Sequence, residues 1–124
     1  MERLKDSTRE IAAKFIQLVS AGQFEKAQKE FFSPDVVSIE FPDADGHCSE
    51  VYGMAAVTAK REEFQAIVES VEGLKTSAPL IQGDVFAFEF ELNFTVKSVG
   101  PQRIAEICVY QVRDGKIVKE QFLN

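Results

Sequence analysis

The sequence predicts an α+β fold of three helices and an antiparallel sheet. Apolar residues recur at helical spacing along much of the N-terminal half, and large apolar residues alternate with small or polar ones over residues 86–96. The order helix, helix, strand, helix and then several strands is typical of the α+β class. The chain has 124 residues, the length of one ordinary domain, so we expect a single domain over residues 1–124.

Ser7-Thr8-Arg9-Glu10 has the pattern of a capping box and predicts the start of the first helix. Apolar residues over 11–19 continue it on one face, and Gly22 is placed to end it in a left-handed conformation. Phe24, Ala27 and Phe31 then predict a second, short helix. Ser33-Pro34 ends that helix, because proline has no N–H to donate and disfavours helical geometry in its predecessor.

Residues 36–41 alternate β-branched or aromatic side chains with others and predict the first strand. Residues 42–52, rich in Asp, Gly and Ser, predict an exposed loop. Gly53 opens a third helix, because apolar residues recur at intervals of three and four as far as Val71, and Gly73 is expected to end it.

The C-terminal part predicts four successive strands in an antiparallel meander. The alternation over residues 86–96 gives one strand a core face and a solvent face. Gly83-Asp84, Gly100-Pro101 and Asp114-Gly115 are expected to be hairpin connections. Asp114-Gly115 suits a type I′ turn, which needs a positive φ at both positions.

Composition limits the possible partners. No apolar run approaches the roughly 20 residues of a membrane-spanning helix, and the first residues lack the apolar core of a signal peptide, so we expect a cytoplasmic protein. The net charge is -6 with scattered Lys and Arg, which argues against nucleic acid and membrane surfaces as partners. We expect a small molecule or a protein instead.

Cysteine and histidine do not form a known motif in this chain. Cys48 and Cys108 are far apart, without a CxxC pair, and His47 is the one histidine, so we expect free thiols, no metal and no cofactor. His47 and Cys48 could pair as base and thiol. Neighbouring side chains in an extended loop point apart, however, and nothing in the sequence orients the imidazole.

Four short motifs in the predicted order of elements resemble one family. They are Ala21-Gly22-Gln23-Phe24, Phe32-Ser33-Pro34-Asp35-Val36-Val37, Tyr52-Gly53 and Val112-Arg113-Asp114-Gly115-Lys116-Ile117. Together they resemble the SnoaL-like branch of the nuclear transport factor 2-like superfamily, which includes ketosteroid isomerases and polyketide cyclases. The resemblance covers nearly the whole chain. It implies a cone-shaped, cystatin-like fold, with three helices on a curved antiparallel sheet around an apolar pocket, and a homodimer through the outer face of the sheet.

The resemblance implies two candidate catalytic residues, Glu40 and Glu106. Ketosteroid isomerases have a general-base aspartate late in the first strand, and that position is Glu40 here. Their tyrosine in the first helix corresponds to Phe15, and their protonated aspartic acid falls near Ala105, so a steroid isomerase proper is not expected. Polyketide cyclases also use an acid on the penultimate strand, the strand that contains Ala105 and Glu106. Glu106 shares a mostly apolar strand face, on which burial would raise its pKa.

Each candidate has a structural alternative. Glu40 faces solvent if the other face of its strand is the core, and Glu106 could lie at the sheet rim or in an ion pair between subunits. We predict Phe15, Tyr52, Phe64 and Tyr110 as substrate-binding residues. The phenylalanines could equally be plain core, Tyr52 could only fix the entry of the third helix, and the Tyr110 hydroxyl could point to water.

Two functional hypotheses follow. The first is a small-molecule pocket protein, acting as an isomerase, cyclase or hydrolase without a cofactor, on a small apolar or aromatic ligand. The second is a non-catalytic ligand-binding or dimeric interaction module with the same fold. Eleven phenylalanines and no tryptophan suit an apolar pocket or a filled core equally well.

Overall fold

The computed structural model describes residues 7–41, 44–46 and 49–124. The predicted α+β class, three helices on a curved sheet, is confirmed there. In chain order the elements are α1 (Thr8–Ser20), α2 (Phe24–Phe31), β1 (Phe32–Ile39), β2 (Glu50–Tyr52), α3 (Met54–Ile67), β3 (Val68–Thr76), β4 (Leu80–Gln82), β5 (Val85–Val96), β6 (Gly100–Arg113) and β7 (Lys116–Leu123).

Both ends of α1 are capped as the sequence predicts. The backbone N–H of Glu10 donates to Ser7 Oγ at 3.1 Å, and the N–H of Ser7 donates to Glu10 Oε1 at 2.9 Å, which completes the capping box. At the other end Gly22 has φ 77°, and the N–H of Gln23 donates to the carbonyl of Leu18 at 2.9 Å. This is a Schellman cap, which turns the chain directly into α2.

The third helix is shorter than predicted. It ends at Ile67, and Val68–Thr76 forms β3, which pairs antiparallel with β5. The helical assignment of Val71 and Gly73 was therefore wrong. Valines three residues apart fit a helix by spacing, but β-branched residues also favour strands, and pairing with β5 satisfies the backbone groups of this segment.

The predicted loop contains a short strand as well. Glu50–Tyr52 forms β2, which pairs antiparallel with β1 so that Tyr52 lies opposite Val37. The first strand also begins earlier than predicted, at Phe32, and passes through Pro34 at an irregularity in the ladder between Phe32 and Val37. Proline is tolerated at such a place because no ladder hydrogen bond is needed there.

The strands form one open curved sheet in the order β2-β1-β7-β6-β5-β3, with β4 also paired to β5. The meander β4-β5-β6-β7 is antiparallel throughout, as predicted. The sheet as a whole is mixed, because β1 pairs parallel with β7. Asp114 and Gly115 have φ values of 54° and 79°, as the predicted type I′ turn requires.

The three helices pack on one side of this sheet and bury its inner face. α1 contacts β3 and β5, and α3 contacts β1 and β2. The core contains Ile11, Phe15, Phe31, Val36, Val57, Phe86, Phe88, Cys108, Tyr110, Val112 and Ile117. Within the described ranges, no helix is long and apolar enough to cross a membrane.

A β-bulge in β7 changes which of its residues face inward. Val112 lies opposite Ile117, but Gln111 lies opposite Lys119, so Val118 is one extra residue on β7. The bulge reverses the alternation after Ile117. Both Ile117, fully buried, and Glu120, 4% exposed, therefore face the inside of the fold.

Candidate functional site

A cavity of about 460 Å³ lies between the inner face of the sheet and the helices. This volume is in the range of small-molecule sites. Most of its wall is aromatic or aliphatic. Its charged and hydroxyl side chains are Glu40, Lys60, Arg61, Arg103, Glu106, Tyr110 and Glu120. Phe41, Arg103 and Asn124, which are exposed, mark its mouth.

Glu40 lies directly after β1 and lines the cavity. Val36 and Ser38, which share its face, are fully buried, so this face of the strand points to the core. The interpretation that Glu40 faces bulk solvent was therefore wrong. The polar Ser38 made this face look solvent-exposed in the sequence. Its hydroxyl is in fact buried and hydrogen-bonded to Glu120 and Lys60.

Lys60 holds Glu40 in place. Its Nζ donates to Glu40 Oε2 at 2.6 Å and to Ser38 Oγ at 2.7 Å. The ammonium also lies 5.3 Å from the ring centroid of Phe122, within cation–π range. Charge-assisted hydrogen bonds of this kind are stronger than neutral ones, so α3 presents a cation with a defined position to the cavity.

Glu106 is half-buried on β6 and also lines the cavity. Burial raises the pKa of its carboxyl to about 7, and the negative charges of Glu40 and Glu120 add to the rise while Lys60 opposes it. The cause is desolvation, which disfavours the charged form. Near neutral pH Glu106 therefore populates both its protonated and its ionised form.

Glu120 lines the cavity and is hydrogen-bonded to the buried Ser38. Ser38 Oγ donates to Glu120 Oε2 at 2.7 Å, so a continuous chain runs from Lys60 through Ser38 to Glu120. Burial raises the pKa of Glu120, and hydrogen bonding to Ser38 and the charge of Lys60 partly oppose the rise. A buried carboxyl is tolerated here because it has these polar partners.

Tyr110 lies opposite Glu120 across the β6–β7 ladder and is 4% exposed. Its ring stacks on Phe86 with centroids 5.0 Å apart and meets Phe15 edge-on at 4.9 Å. Burial, together with the charge of Glu120, raises the pKa of Tyr110 well above its usual value. The hydroxyl is therefore neutral and lies inside the fold, not with its tip in water.

Of the other predicted binding residues, Phe15 and Phe64 line the cavity and Tyr52 does not. Tyr52 is 65% exposed, and its hydroxyl donates to the Glu50 carboxylate. The prediction that Tyr52 lies at the pocket mouth was wrong. Directly opposite residues share a face, and pairing with Val37 places Tyr52 on the side away from Val36 and Ser38.

The sequence alone did not identify Ser38, Lys60, Arg61 or Glu120 as site residues. Lys60 could have been found, because it lies four residues before Phe64 and so shares its helix face. No sequence pattern indicates Glu120. Simple alternation from Ile117 places it on the outer face, and only the bulge brings it inward.

The thiol of Cys108 lines the cavity but is poorly reactive. It is 2% exposed, and burial raises its pKa, as do the charges of Glu106 and Glu120. His47 and Cys48 lie outside the described residues. In the part of the chain that the structure describes, no group of three His, Cys, Asp or Glu side chains could hold a metal ion.

Several solved structures resemble this one. A Mesorhizobium loti protein, provisionally named a SnoaL-like polyketide cyclase, is 29% identical, with a TM-score of 0.87 over 96% of this chain and 100% of that chain. A cystatin-like protein from Xanthomonas campestris is 20% identical, with a TM-score of 0.76 over 95% and 90% of the two chains. A protein with a ketosteroid isomerase-like fold from Catenulispora acidiphila, solved with trimethylamine, is 17% identical, with a TM-score of 0.70 over 89% and 84%.

The last two similarities concern the fold alone. No curated protein matches the chain. A family model described as the SnoaL-like domain matches residues 6–124, which is nearly the whole sequence. The cavity between helices and curved sheet agrees with the fold of these relatives, and the chain belongs to the SnoaL-like domain family.

Proposed function

We propose that the chain is a small-molecule enzyme that uses Glu106 as a cofactor-independent acid and base. One observation supports this most strongly: a half-buried carboxyl on the wall of an otherwise apolar cavity has a pKa of about 7. A general acid or base is most effective when its pKa lies near the working pH. The apolar wall suits an apolar or aromatic substrate.

The reaction that fits is proton transfer at a carbon next to a carbonyl group. The Glu106 carboxylate takes the proton, and the electron pair of the C–H bond moves into an enolate. Returning the proton to another carbon completes an isomerisation. Attack of the enolate carbon on a second carbonyl, with the proton going to the new alkoxide, completes a cyclisation. Both routes are redox-neutral and need no co-reactant.

Lys60 supplies the positive charge that this chemistry needs. Its charge lowers the pKa of Glu106, so it acts on the region where the enolate would form. Glu40 has a supporting role in this proposal. Its carboxylate is engaged by the Lys60 ammonium at 2.6 Å and is less available than that of Glu106 to take a proton from a substrate.

Hydrogen–deuterium exchange tests the proposal. The protein is incubated in D2O with aryl methyl ketones and 2-tetralone, and loss of the α-proton signal is followed by NMR. We expect the wild type to accelerate exchange of the α-proton above its rate in free solution. Glu106→Gln should lower the enzymatic rate by roughly a hundredfold or more, the usual contribution of a general base. Glu63→Gln, an exposed change on α3, is the matched control.

The second candidate, a non-catalytic binding module, is favoured by the mainly apolar cavity wall. The same experiment separates the two. Ketones that bind but exchange at the rate of free solution indicate a binding module. Exchange that survives unchanged in Glu106→Gln shows that this carboxyl is not the base.

We further propose that a second copy of the chain covers the outer face of the sheet, as the family resemblance implies. Ile107 on β6 and Leu123 on β7 lie opposite one another there, 47% and 42% exposed. A charge in the middle of such an interface should prevent dimerisation. We expect Ile107→Glu to sediment as a monomer, and Val99→Glu, in the exposed β5–β6 turn, to behave like the wild type.

A further inference from the structure

Among the residues that the structure describes, Arg61 is the cavity cation without a carboxylate partner. Lys60 binds Glu40 at 2.6 Å, and Arg103 Nε lies 3.3 Å from Glu91 Oε2. Arg61 is on α3 beside Lys60 and lines the same cavity, but no carboxylate of the described ranges lies within ion-pair distance of it. A guanidinium remains charged at all ordinary pH values, so this charge is not neutralised in place.

The hydrogen bonding of Arg61 is also incomplete. One bond is present, from Nη1 to Gln28 Oε1 on α2 at 3.3 Å. Its Nε is buried without an acceptor, a situation that no other buried side-chain nitrogen or oxygen shares within residues 7–41, 44–46 and 49–124. Buried donors in folded proteins are nearly always satisfied, so an unpaired one requires an explanation.

Glu25, whose pKa the charge of Arg61 affects, does not supply the missing partner. Glu25 on α2 is exposed, and its carboxylate is bound by Lys29 at 2.8 Å. Lys29 lowers the pKa of Glu25 most, and the charge of Arg61 adds a smaller effect from further away. Arg61 therefore lines the cavity with hydrogen-bonding capacity that the described residues leave unused.

We infer that Arg61 anchors a carboxylate of the ligand, which makes the substrate an apolar or aromatic carboxylic acid. The inference rests on the proposed function, in that it names the substrate class of the same cavity. A planar guanidinium binds a carboxylate through two parallel N–H bonds, and Phe24 and Phe64 offer apolar surface for the remainder. Glu40, Glu106 and Glu120 disfavour a doubly charged group such as a phosphate monoester.

This arrangement also orients the substrate. Arg61 and Gln28 belong to the helices, whereas Glu106 belongs to the sheet on the opposite wall. An acid held at Arg61 would direct its other end towards Glu106. Fixing one end of a substrate in this way places the reacting carbon near the base and lowers the entropic cost of reaching the transition state.

Matched ligand pairs test the inference. 2-Naphthoate and 2-naphthamide, and phenylacetate and phenylacetamide, are titrated into the wild type by calorimetry, while the Arg61 Nε–H signal is followed by NMR. We expect each carboxylate to bind roughly tenfold to a hundredfold more tightly than its amide and to shift this signal. Arg61→Gln should abolish the preference, because it weakens carboxylate binding more than amide binding. Arg103→Gln, at the cavity mouth, should retain it.

Three results would overturn the inference: equal binding of acid and amide, a preference that survives Arg61→Gln, or an Arg61 Nε–H signal that no acid moves. If Arg61→Gln fails to fold, Arg61→Lys replaces it and should weaken the preference, because an ammonium lacks the planar fork. Glu106→Gln separates this inference from the proposed reaction. It should lose ketone exchange and retain the carboxylate preference.

Discussion

The hydroxyl of Ser38 donates a hydrogen bond of 2.7 Å to the carboxyl of Glu120, a residue 82 positions later in the chain. This bond links β1 to β7 beneath the cavity, and Lys60 extends it to Glu40 at the cavity wall. The charges of Glu40, Glu120 and Lys60 all act on the pKa of Glu106. A substitution at Glu40, Lys60 or Glu120 should therefore change the pKa of Glu106.

Replacing Ser38 with alanine should destabilise the protein. Ser38→Ala removes one hydrogen-bond partner from the buried Glu120 carboxyl and one from the Lys60 ammonium, which costs about 1–3 kcal/mol of unfolding free energy. Urea unfolding at pH 7 measures the loss. Ser70→Ala is the matched control, because Ser70 makes a similar bond to Glu72, at 2.5 Å, on the exposed surface. Equal losses in the two variants would show that burial of the Ser38 bond has no effect.

The stability of the wild type should fall relative to Glu106→Gln as the pH rises from about 4.5 to about 7. The folded-state pKa of Glu106 is raised from 4.5 to about 7, so in this interval the folded state retains a proton that the unfolded state has lost. Bound protons in excess on the folded state mean that stability decreases with increasing pH. Below pH 4.5 this contribution vanishes, and above pH 7 the penalty is complete.

Relative to Glu106→Gln, the unfolding free energy of the wild type should be about 1–2 kcal/mol lower at pH 8 than below pH 4.5. This is less than the full pKa shift implies, because solvent screens a half-buried group. Chemical unfolding at several pH values measures it. Glu63→Gln is the control for the loss of one glutamate charge, because Glu63 is exposed on α3. A flat difference for Glu106→Gln would mean that Glu106 titrates as an ordinary surface carboxyl.

Removing the charge of Lys60 should raise the pKa of Glu106 further. Lys60 lowers this pKa in the wild type, and Lys60→Met also leaves Glu40 without its cation. Titration of the glutamate side-chain carbons by NMR should show the Glu106 transition at higher pH. Lys119→Met is the control, since Lys119 is on the same sheet but exposed. A fall in the Glu106 pKa would contradict the arrangement described.

The two tyrosines should behave differently. Tyr52 is exposed and should ionise reversibly at high pH, at a pKa that its hydrogen bond to Glu50 raises, whereas buried Tyr110 should ionise only when the protein unfolds. Ultraviolet absorbance measures both steps. Tyr52→Phe should remove the first step without affecting stability, and Tyr110→Phe should cost about 1 kcal/mol. A reversible Tyr110 transition in folded protein would show that its hydroxyl is open to solvent.

Local patterns correctly predicted the features that depend on a few neighbouring residues. The capping box at Ser7, the left-handed Gly22 and the turn at Asp114-Gly115 each form where their residues require a particular backbone geometry. The prediction failed at Val68–Thr76, where the spacing of valines allowed either structure. There, pairing with β5 decided the outcome, and no residue within the segment encodes that partner.

For the candidate site the sequence by itself determined the fold class and the family, and it singled out Glu40 and Glu106 as candidate carboxylates without deciding which way they face. Only the tertiary structure decided what surrounds them. It buries Ser38, turns Glu120 inward through the bulge at Val118, and brings Lys60 and Arg61 of α3 to the same cavity. The reason is physical: a pKa or a binding preference depends on burial and on charges within a few ångströms, and these neighbours come from segments distant in sequence.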